Sequence, residues 1–315
     1  MKILFLGAGA TGGYFGGRMA AAGVDASFLV RPRRAALLGE GPLRIESPMG
    51  DVNVPVTAIT ADALAADGGR AYDLVVLSCK AYDLDDAIAS IGPAVGAQTF
   101  ILPLLNGMAH LDRLDAAFGA ERILGGLCQI AATLTPDGTI RHLNQTHLLV
   151  FGGRRPEQEP FCACLARAIA PAAFEMRHSD DIVLEMWEKW VMLASLAAAT
   201  CLMRATIGDI VAAPHGQAIV TETLSESAEI AAAAGFPPRE DTLTRIRGLL
   251  TEPGSTFAAS MLRDVEAGNP VEADHIEGDL IARAEAAGVF TPRLCTAYCH
   301  LKAYENRRDR ERAQA

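Results

Sequence analysis

Short apolar runs alternate with longer amphipathic segments through the first half of the chain. Four of these runs predict buried strands, because each places consecutive apolar residues next to glycine, proline or a polar turn. The predicted strands are Lys2–Leu6, Asp25–Val30, Asp73–Ser78 and Thr99–Leu105. Helices are predicted between them at about Thr11–Ala22 and Asp83–Ile91. Apolar strands separated by helices are typical of a parallel sheet covered on both faces.

The pattern changes near residue 122. The segments LCQIAATL and TIRHL flank the turn sequence Pro136-Asp137-Gly138, which predicts a hairpin over residues 122–151. Beyond about residue 155 the sequence predicts helices and no further strand. The predicted helices are Pro160–Ala170, Asp180–Cys201, Gln217–Ala234, Arg239–Leu250, Phe257–Ala267, Pro270–Ala287 and Pro292–Arg308. An α/β half followed by a helical half predicts two domains, residues 1–157 and 158–315.

Composition narrows the possible functions. The formal net charge is −10, so nucleic acid and anionic membrane surfaces are poor partners for this chain. No apolar run reaches the roughly 20 residues of a membrane span, and we expect a soluble cytoplasmic protein. The seven cysteines are scattered and form no CxxC pair. This spacing favours buried thiols in a reducing compartment, and we expect no metal site.

A glycine-rich loop directly follows the first predicted strand. It has the pattern GxGxxG and consists of Gly7, Ala8, Gly9, Ala10, Thr11 and Gly12. The first glycine permits a tight turn, the second lets the backbone approach a pyrophosphate, and the third lets helix and strand pack closely. The N–H groups at the helix start can bind phosphate. The loop therefore predicts a dinucleotide site, with a glycine turn that binds no ligand as the alternative.

The residue that ends the second strand indicates which dinucleotide is bound. An acid there suits the ribose of NAD, whereas Arg31 followed by Pro32-Arg33-Arg34 suits the 2′-phosphate of NADP. We predict NADP(H), with Arg31 as the leading contact. A solvated basic turn is the alternative.

Three polar residues are candidates for catalysis or ligand binding, and each could instead have a purely structural role. Lys189 lies in the apolar segment EMWEKWVMLASLAAAT, where it could pair with Glu185 one turn earlier or act on a substrate. Glu272 could complete a capping box begun by Asn269. Asn106 could form a turn, but it follows a strand at the edge where ligands of α/β sheets bind.

An ordered set of segments resembles the ketopantoate reductases (2-dehydropantoate 2-reductases), and the resemblance extends over nearly the whole chain. The segments are GAGATG, Arg31, Ser78-Cys79-Lys80, Leu105-Asn106-Gly107-Met108, Glu185-Met186-Trp187-Glu188-Lys189, Ser260-Met261-Leu262-Arg263-Asp264 and Glu272. The resemblance implies a Rossmann-like N-terminal domain and an all-α C-terminal domain similar to that of 6-phosphogluconate dehydrogenases. It also implies NADPH-dependent reduction of a 2-oxo acid to a 2-hydroxy acid, which for ketopantoate belongs to pantothenate and coenzyme A biosynthesis.

The resemblance also assigns roles to individual residues. Lys189 is the general acid, and Glu272 contacts substrate or cofactor. Asn106 binds near the nicotinamide and the substrate, and Ser260 touches the substrate. Lys80 and the backbone of Ala132 contact the cofactor. These roles suit the chemistry, because hydride transfer to a ketone creates negative charge on oxygen that an ammonium stabilises.

The substrate half departs from the family pattern. Leu193, Ala197 and Phe257 stand where the family has asparagines, so we expect a different or more apolar substrate than ketopantoate. The alternatives are a related dehydrogenase acting on another oxo acid, an imine or a β-hydroxy acid, and a nicotinamide-binding regulator without turnover. The apolar helical half could also form a homodimer.

Overall fold

A computed structural model describes residues 1–66 and 71–314. The chain divides into two compact units. The first contains residues 1–105 and 110–183, and the second contains residues 106–109 and 184–315. None of the helices in the described ranges is long and apolar enough to span a membrane.

A five-stranded parallel sheet forms the centre of the first unit, with strand order β5-β2-β1-β6-β7. Its strands are β1 (Lys2–Leu6), β2 (Asp25–Leu29), β5 (Thr57–Ile59), β6 (Leu74–Leu77) and β7 (Phe100–Pro103). The helices of this unit are α1 (Ala10–Ala21), α2 (Pro32–Glu40), α3 (Ala61–Ala66), α4 (Leu84–Ile91), α5 (Ala109–Phe118) and α6 (Glu159–Ile169). The predicted α/β class is confirmed, and each of the four predicted strands is present within two residues of its expected ends.

A second sheet in the same unit was only partly predicted. It has the order β10-β9-β3-β4, with β8 also paired to β9. Its strands are β3 (Leu43–Glu46), β4 (Val52–Val54), β8 (Gly125–Leu134), β9 (Ile140–Gly152) and β10 (Glu175–His178). The predicted hairpin is the antiparallel pair of β8 and β9, which has a bulge between Ile130 and Ala132.

Helix α1 lies between the two sheets. A methyl group added at Gly16 would crowd Phe28 and Phe5 of the first sheet, and one added at Gly17 would crowd Leu43 and Ile45 of the second. Small residues on this helix therefore allow one apolar core to form on both of its sides.

The expectation that strands end at about residue 155 was wrong. Strand β10 pairs in parallel with β9, with Glu175 opposite Leu148 and His178 opposite Phe151. Its four residues alternate between exposed and half-buried positions, because only one face meets the core. The first compact unit consequently runs to residue 183, whereas the domain boundary at residue 157 remains a prediction from sequence.

Helices make up the second unit. They are α7 (Ile182–Met203), α8 (Ile207–Ala212), α9 (Gly216–Ala233), α10 (Glu240–Leu250), α11 (Ser260–Glu266), α12 (Asp279–Ala287) and α13 (Pro292–Gln314). Helix α7 is the most buried, and its Trp190, Val191 and Ala194 are at most 1% exposed. The helix predicted from Pro270 differs in detail, because a π-helical turn, Asp274–Gly278, precedes α12.

Candidate active site

The glycine loop has the geometry of a phosphate-binding turn. Gly7 has a φ angle of 93°, which favours glycine, and its N–H donates to the Leu29 carbonyl oxygen at 2.8 Å. A methyl group on Gly12 would overlap Ser78 Oγ and would lie 2.8 Å from the Gly7 carbonyl oxygen. In contrast, a methyl group on Gly9 would meet no protein atom within 4 Å. The loop is therefore closely packed on its protein side and open at Gly9, as a bound pyrophosphate requires.

Three predicted cofactor residues lie at the same edge of the first sheet. Strands β2, β1 and β6 are parallel neighbours, so the residues that follow them lie at one edge. Gly7 follows β1, Arg31 follows β2 and Lys80 follows β6. Ala132 belongs to β8 of the second sheet and pairs with His142.

Arg31 presents its charge at the surface. Its side chain is 82% exposed and lies 3.5 Å from Asp83. Arg34, one turn further along α2, instead donates to the Gly138 carbonyl oxygen at 2.9 Å, and burial lowers the pKa of its guanidinium. Within the predicted basic cluster, Arg31 is thus exposed beside a carboxylate, whereas Arg34 supports the hairpin turn.

The side chain of Lys189 points to the side-chain amide of Asn106. It is half-buried on α7, and its Nζ donates to Asn106 Oδ1 at 3.0 Å. The adjacent Glu188 is engaged elsewhere, because its carboxylate accepts from the Arg239 Nε at 2.8 Å and the Arg239 backbone N–H at 2.9 Å. Trp187 and Trp190 are buried on either side of this pair. Both Lys189 and Asn106 belong to the second compact unit.

Glu272 precedes the π-helical turn, so it does not occupy the N3 position that the capping-box interpretation assigned to it. Its carbonyl oxygen accepts from the N–H groups of His275 and Ile276, so Glu272 lies at the helix start. Glu272 as a whole is 8% exposed. Trp190 Nε1 donates to the Ile276 carbonyl oxygen at 3.0 Å, which joins this turn to α7 next to Lys189.

Two ionisable residues of the turn were missed in the sequence. The His275 ring lies against Gly107, where an added methyl group would come within 3.1 Å of the ring Cδ2 atom, and burial lowers the pKa of the ring. Glu277 is fully buried, and burial together with the Glu272 charge raises the pKa of its carboxyl well above its ordinary value. The signal for both was weak, since a histidine and a glutamate in a polar-rich helix usually face solvent.

The predicted substrate residues differ in accessibility. Leu193, one turn beyond Lys189, is half-buried, whereas Ala197 is 0% exposed. Ser260 is exposed at the start of α11, and Phe257 is 36% exposed. The Ala259 N–H contacts Thr200 Oγ1 at 3.4 Å, which places this segment beside α7.

Two sequence models of protein families match the chain. "Ketopantoate reductase PanE/ApbA" matches residues 3–155, and "Ketopantoate reductase PanE/ApbA C terminal" matches residues 181–305. This chain belongs to the ketopantoate reductase family. The resemblance inferred from the ordered segments is thereby confirmed, and with it the assignment to nicotinamide-dependent oxidoreductases that act on small molecules.

Relatives of known sequence or structure align with nearly the whole chain. The uncharacterized oxidoreductase YkpB of Bacillus subtilis (strain 168) is 34% identical over 305 residues, which cover 97% of this chain and 99% of that protein. The structure of 2-dehydropantoate 2-reductase from Methylococcus capsulatus has a TM-score of 0.87 at 26% identity and covers 98% of both chains. D-mandelate dehydrogenase with NADH and anilino(oxo)acetate has the same fold, with a TM-score of 0.87 at 19% identity and coverage of 98% and 99%.

Proposed function

We propose that this protein reduces a 2-oxo acid to a 2-hydroxy acid with NADPH. The family reaction is the reduction of ketopantoate to pantoate, a step towards pantothenate and coenzyme A. The proposal depends on one observation, the hydrogen bond of 3.0 Å from the Lys189 ammonium to Asn106 Oδ1. A half-buried lysine held by a neutral amide keeps its charge available for a substrate, whereas a carboxylate partner would neutralise it.

The residues of the second unit suit this reaction. A bound nicotinamide would supply a hydride to the carbonyl carbon, which would leave negative charge on the oxygen. Lys189 stabilises that charge and transfers a proton from Nζ to the oxygen. Because Asn106 Oδ1 accepts from Lys189, the Asn106 amide NH₂ can donate to a substrate oxygen. Glu272 offers a carboxylate that can accept from a substrate hydroxyl.

The proposed preference for NADPH is supported by positively charged side chains next to the glycine loop. The phosphate-binding loop accounts for either dinucleotide, so the discrimination depends on the end of β2. Arg31 stands where an acid would suit NAD, and although one of its nitrogens lies 3.5 Å from Asp83, its side chain is 82% exposed, so its other N–H groups can donate to a 2′-phosphate. Lys80, at the same edge of the sheet, adds a second cation for the cofactor.

The decisive experiment measures NADPH oxidation with a panel of 2-oxo acids that includes ketopantoate. Lys189→Met should lower kcat by roughly 10²–10⁴-fold while NADPH affinity is retained. Lys189→Arg is the matched control, because it keeps the charge but holds its proton too tightly to act as an acid. We expect it to be nearly as slow as Lys189→Met. A Lys189→Arg variant as fast as wild type would show that Lys189 acts by charge alone.

A more apolar oxo acid is the second candidate substrate. It is favoured by Leu193, half-buried one turn beyond Lys189, and by the partly exposed Phe257. If this is correct, wild type should prefer 2-oxo acids with apolar side chains over ketopantoate. Leu193→Asn should shift the ratio of kcat/KM values towards ketopantoate by about 10-fold, the lower end of what one pocket contact contributes. A wild-type preference for ketopantoate would reject this candidate.

Experiments on the purified wild-type protein and on cells test the alternative functions, the homodimer and the location. An imine or β-hydroxy acid substrate predicts no oxidation of NADPH by any 2-oxo acid, and a regulator without turnover predicts binding alone. The homodimer and the cytoplasmic location are also proposals. Light scattering of the purified chain tests the first, and fractionation of cells tests the second.

A further inference from the structure

The β8–β9 hairpin loses its regular pairing between Ile130 and Ala132. The partners of these two residues on β9 are His147 and His142, so a single residue of β8 lies opposite the four residues between them. These four residues are exposed, whereas the two histidines are buried. The single residue, Ala131, therefore lies outside the ladder of paired residues, and irregularities of this kind change the direction of a strand.

A side chain binds the backbone at this irregularity. The Ala131 N–H donates to Asn144 Oδ1 at 3.1 Å. The same oxygen lies 2.9 Å from His142 Nε2, and this nitrogen also lies 3.0 Å from the Thr146 carbonyl oxygen. Because both of these oxygens can only accept, His142 Nε2 must carry a hydrogen. The contacts of this one ring nitrogen therefore fix the tautomer of His142, and they hold Asn144 in position to accept from the strand.

The opposite side of the His142 ring is held by α1 and by the residue that follows β3. In the neutral ring with hydrogen on Nε2, the other nitrogen, Nδ1, accepts from Ser47 Oγ at 2.9 Å. The Tyr14 hydroxyl of α1 lies 3.3 Å from the same nitrogen and 2.8 Å from His147 Nδ1. Tyr14 and both histidines are buried, and Ser47 is half-buried. The ring is thus fixed from two directions within the first compact unit.

The hairpin also lies along the glycine loop. Ile140 of β9 packs against Gly13, the residue after the GxGxxG pattern, so closely that a methyl group added to Gly13 would overlap its Cδ1 atom. Ile140 pairs with Leu134, which is two residues beyond Ala132 on β8. Tyr14 directly follows Gly13 on the helix whose N-terminus is predicted to bind the pyrophosphate. A continuous set of side-chain contacts therefore joins the phosphate-binding helix to the irregular part of β8.

We propose that His142 and Asn144 are positioning residues of the cofactor site. Through the hydrogen bond to the Ala131 N–H, they hold the adjacent backbone of Ala132 against the nicotinamide dinucleotide. This inference rests on the proposed function, in which the Ala132 backbone contacts NADPH. Neither His142 nor Asn144 touches the cofactor in this role, because their effect passes through the backbone of β8.

The first test removes the hydrogen-bond acceptor at an exposed position. Asn144→Ala eliminates the partner of the Ala131 N–H and leaves the buried contacts of the His142 ring in place. We expect it to raise the Kd for NADPH in calorimetric titrations by about 3–10-fold, the effect of one hydrogen bond of ordinary strength. The KM for the 2-oxo acid at saturating NADPH should stay within about twofold, because Lys189 and Asn106 belong to the second compact unit.

Gln145→Ala is the matched control. Gln145 lies next to Asn144 in the same exposed segment, so its truncation changes the segment without removing the acceptor. This variant should bind NADPH with wild-type affinity. Wild-type affinity in Asn144→Ala would overturn the proposal, and so would an equal loss of affinity in the two alanine variants.

Two histidine variants separate the hydrogen bond from the volume of the ring. His142→Met fills much of the same space but cannot donate, whereas His142→Gln can place an amide N–H near the position of Nε2. We expect His142→Met to raise the Kd for NADPH about as much as Asn144→Ala does, and His142→Gln to recover most of that affinity. Equal losses in the folded His142→Met and His142→Gln variants would overturn the role of His142. If a histidine variant does not fold, the comparison of Asn144→Ala with Gln145→Ala decides.

Gly9→Ala, titrated in parallel, separates this inference from the proposed function. If wild type binds no NADPH, the inference fails together with the proposed function. NADPH binding without reduction of any 2-oxo acid rejects the proposed reaction, and the titrations still decide the positioning role. If Gly9→Ala weakens NADPH binding and Asn144→Ala does not, only the role of His142 and Asn144 is rejected.

Discussion

Two alanine substitutions in the glycine loop should have opposite effects on folding and on cofactor binding. The backbone angles of Gly9, φ −84° and ψ −162°, are open to alanine, and the new methyl group would meet nothing within 4 Å. The methyl group of Gly12→Ala would overlap Ser78 Oγ and would lie 2.8 Å from the Gly7 carbonyl oxygen. The same added methyl group therefore enters empty space at Gly9 and a closely packed position at Gly12.

The structure gives the expected size of each effect on stability. Moving the Gly12 methyl group from 2.8 Å to an ordinary separation of 3.4 Å requires a shift of about 0.6 Å in the phosphate-binding backbone. Overpacking of this kind costs about 1–3 kcal/mol. For a unit of this size that loss lowers Tm by roughly 2–12 °C. Gly9→Ala should leave Tm unchanged or raise it. Alanine lowers the conformational entropy of the unfolded chain, which increases the free energy of unfolding by about 0.4–1 kcal/mol.

Gly9→Ala, the variant expected to fold as stably as wild type, should show the clearer loss of cofactor affinity. The open space at Gly9 is where a pyrophosphate would approach the backbone, so Gly9→Ala should weaken NADPH binding by about 10-fold or more at unchanged Tm. Calorimetric titration with NADPH and thermal unfolding of the three proteins measure both quantities. If Gly9→Ala bound NADPH as tightly as wild type, the loop would not be the pyrophosphate site. A Gly12→Ala variant with wild-type Tm would contradict the packing argument.

Three further predictions concern single charged or titratable groups. Arg31→Ala should reduce the ratio of NADPH to NADH affinity by about 10-fold, as expected for one lost charge-assisted contact of roughly 1.4 kcal/mol, and an unchanged ratio would exclude Arg31 from the 2′-phosphate site. Glu277 has no hydrogen-bond partner in any other described residue, so Glu277→Met should raise the free energy of unfolding at neutral pH by about 1–3 kcal/mol in urea titrations. The pKa of His147 is lowered by burial and by Arg18, so its contribution to stability is complete above its unfolded value of about 6.5 and is lost as pH falls towards the folded pKa. Urea midpoints at pH 7 and 5.5 should therefore differ less in His147→Gln than in wild type, and equal differences would show that His147 does not contribute.

Much of the first unit could be predicted, because its strands and its glycine loop are specified by residues that are neighbours in the sequence. A parallel strand buried on both faces is a continuous apolar run, so β1, β2, β6 and β7 were visible without knowledge of their partners. The GxGxxG loop was equally clear, since its glycines are required by the tight turn at Gly7 and by the contact of Gly12 with Ser78. Strands β3, β4, β5 and β10 were not predicted, because three or four residues carry too little periodicity to distinguish them from loops.

The amino-acid sequence by itself determined the class of fold, the phosphate-binding loop and the buried helix that carries Lys189, because each depends on neighbours along the chain. The tertiary structure alone decided what Lys189 contacts. Spacing offered Glu185, one turn away, whereas the ammonium donates to Asn106, which is 83 residues earlier. It also placed His275, on a π-helical turn, against Gly107, the residue that follows this asparagine. Partners so distant in sequence are brought together by the packing of whole helices, and no local pattern records that packing.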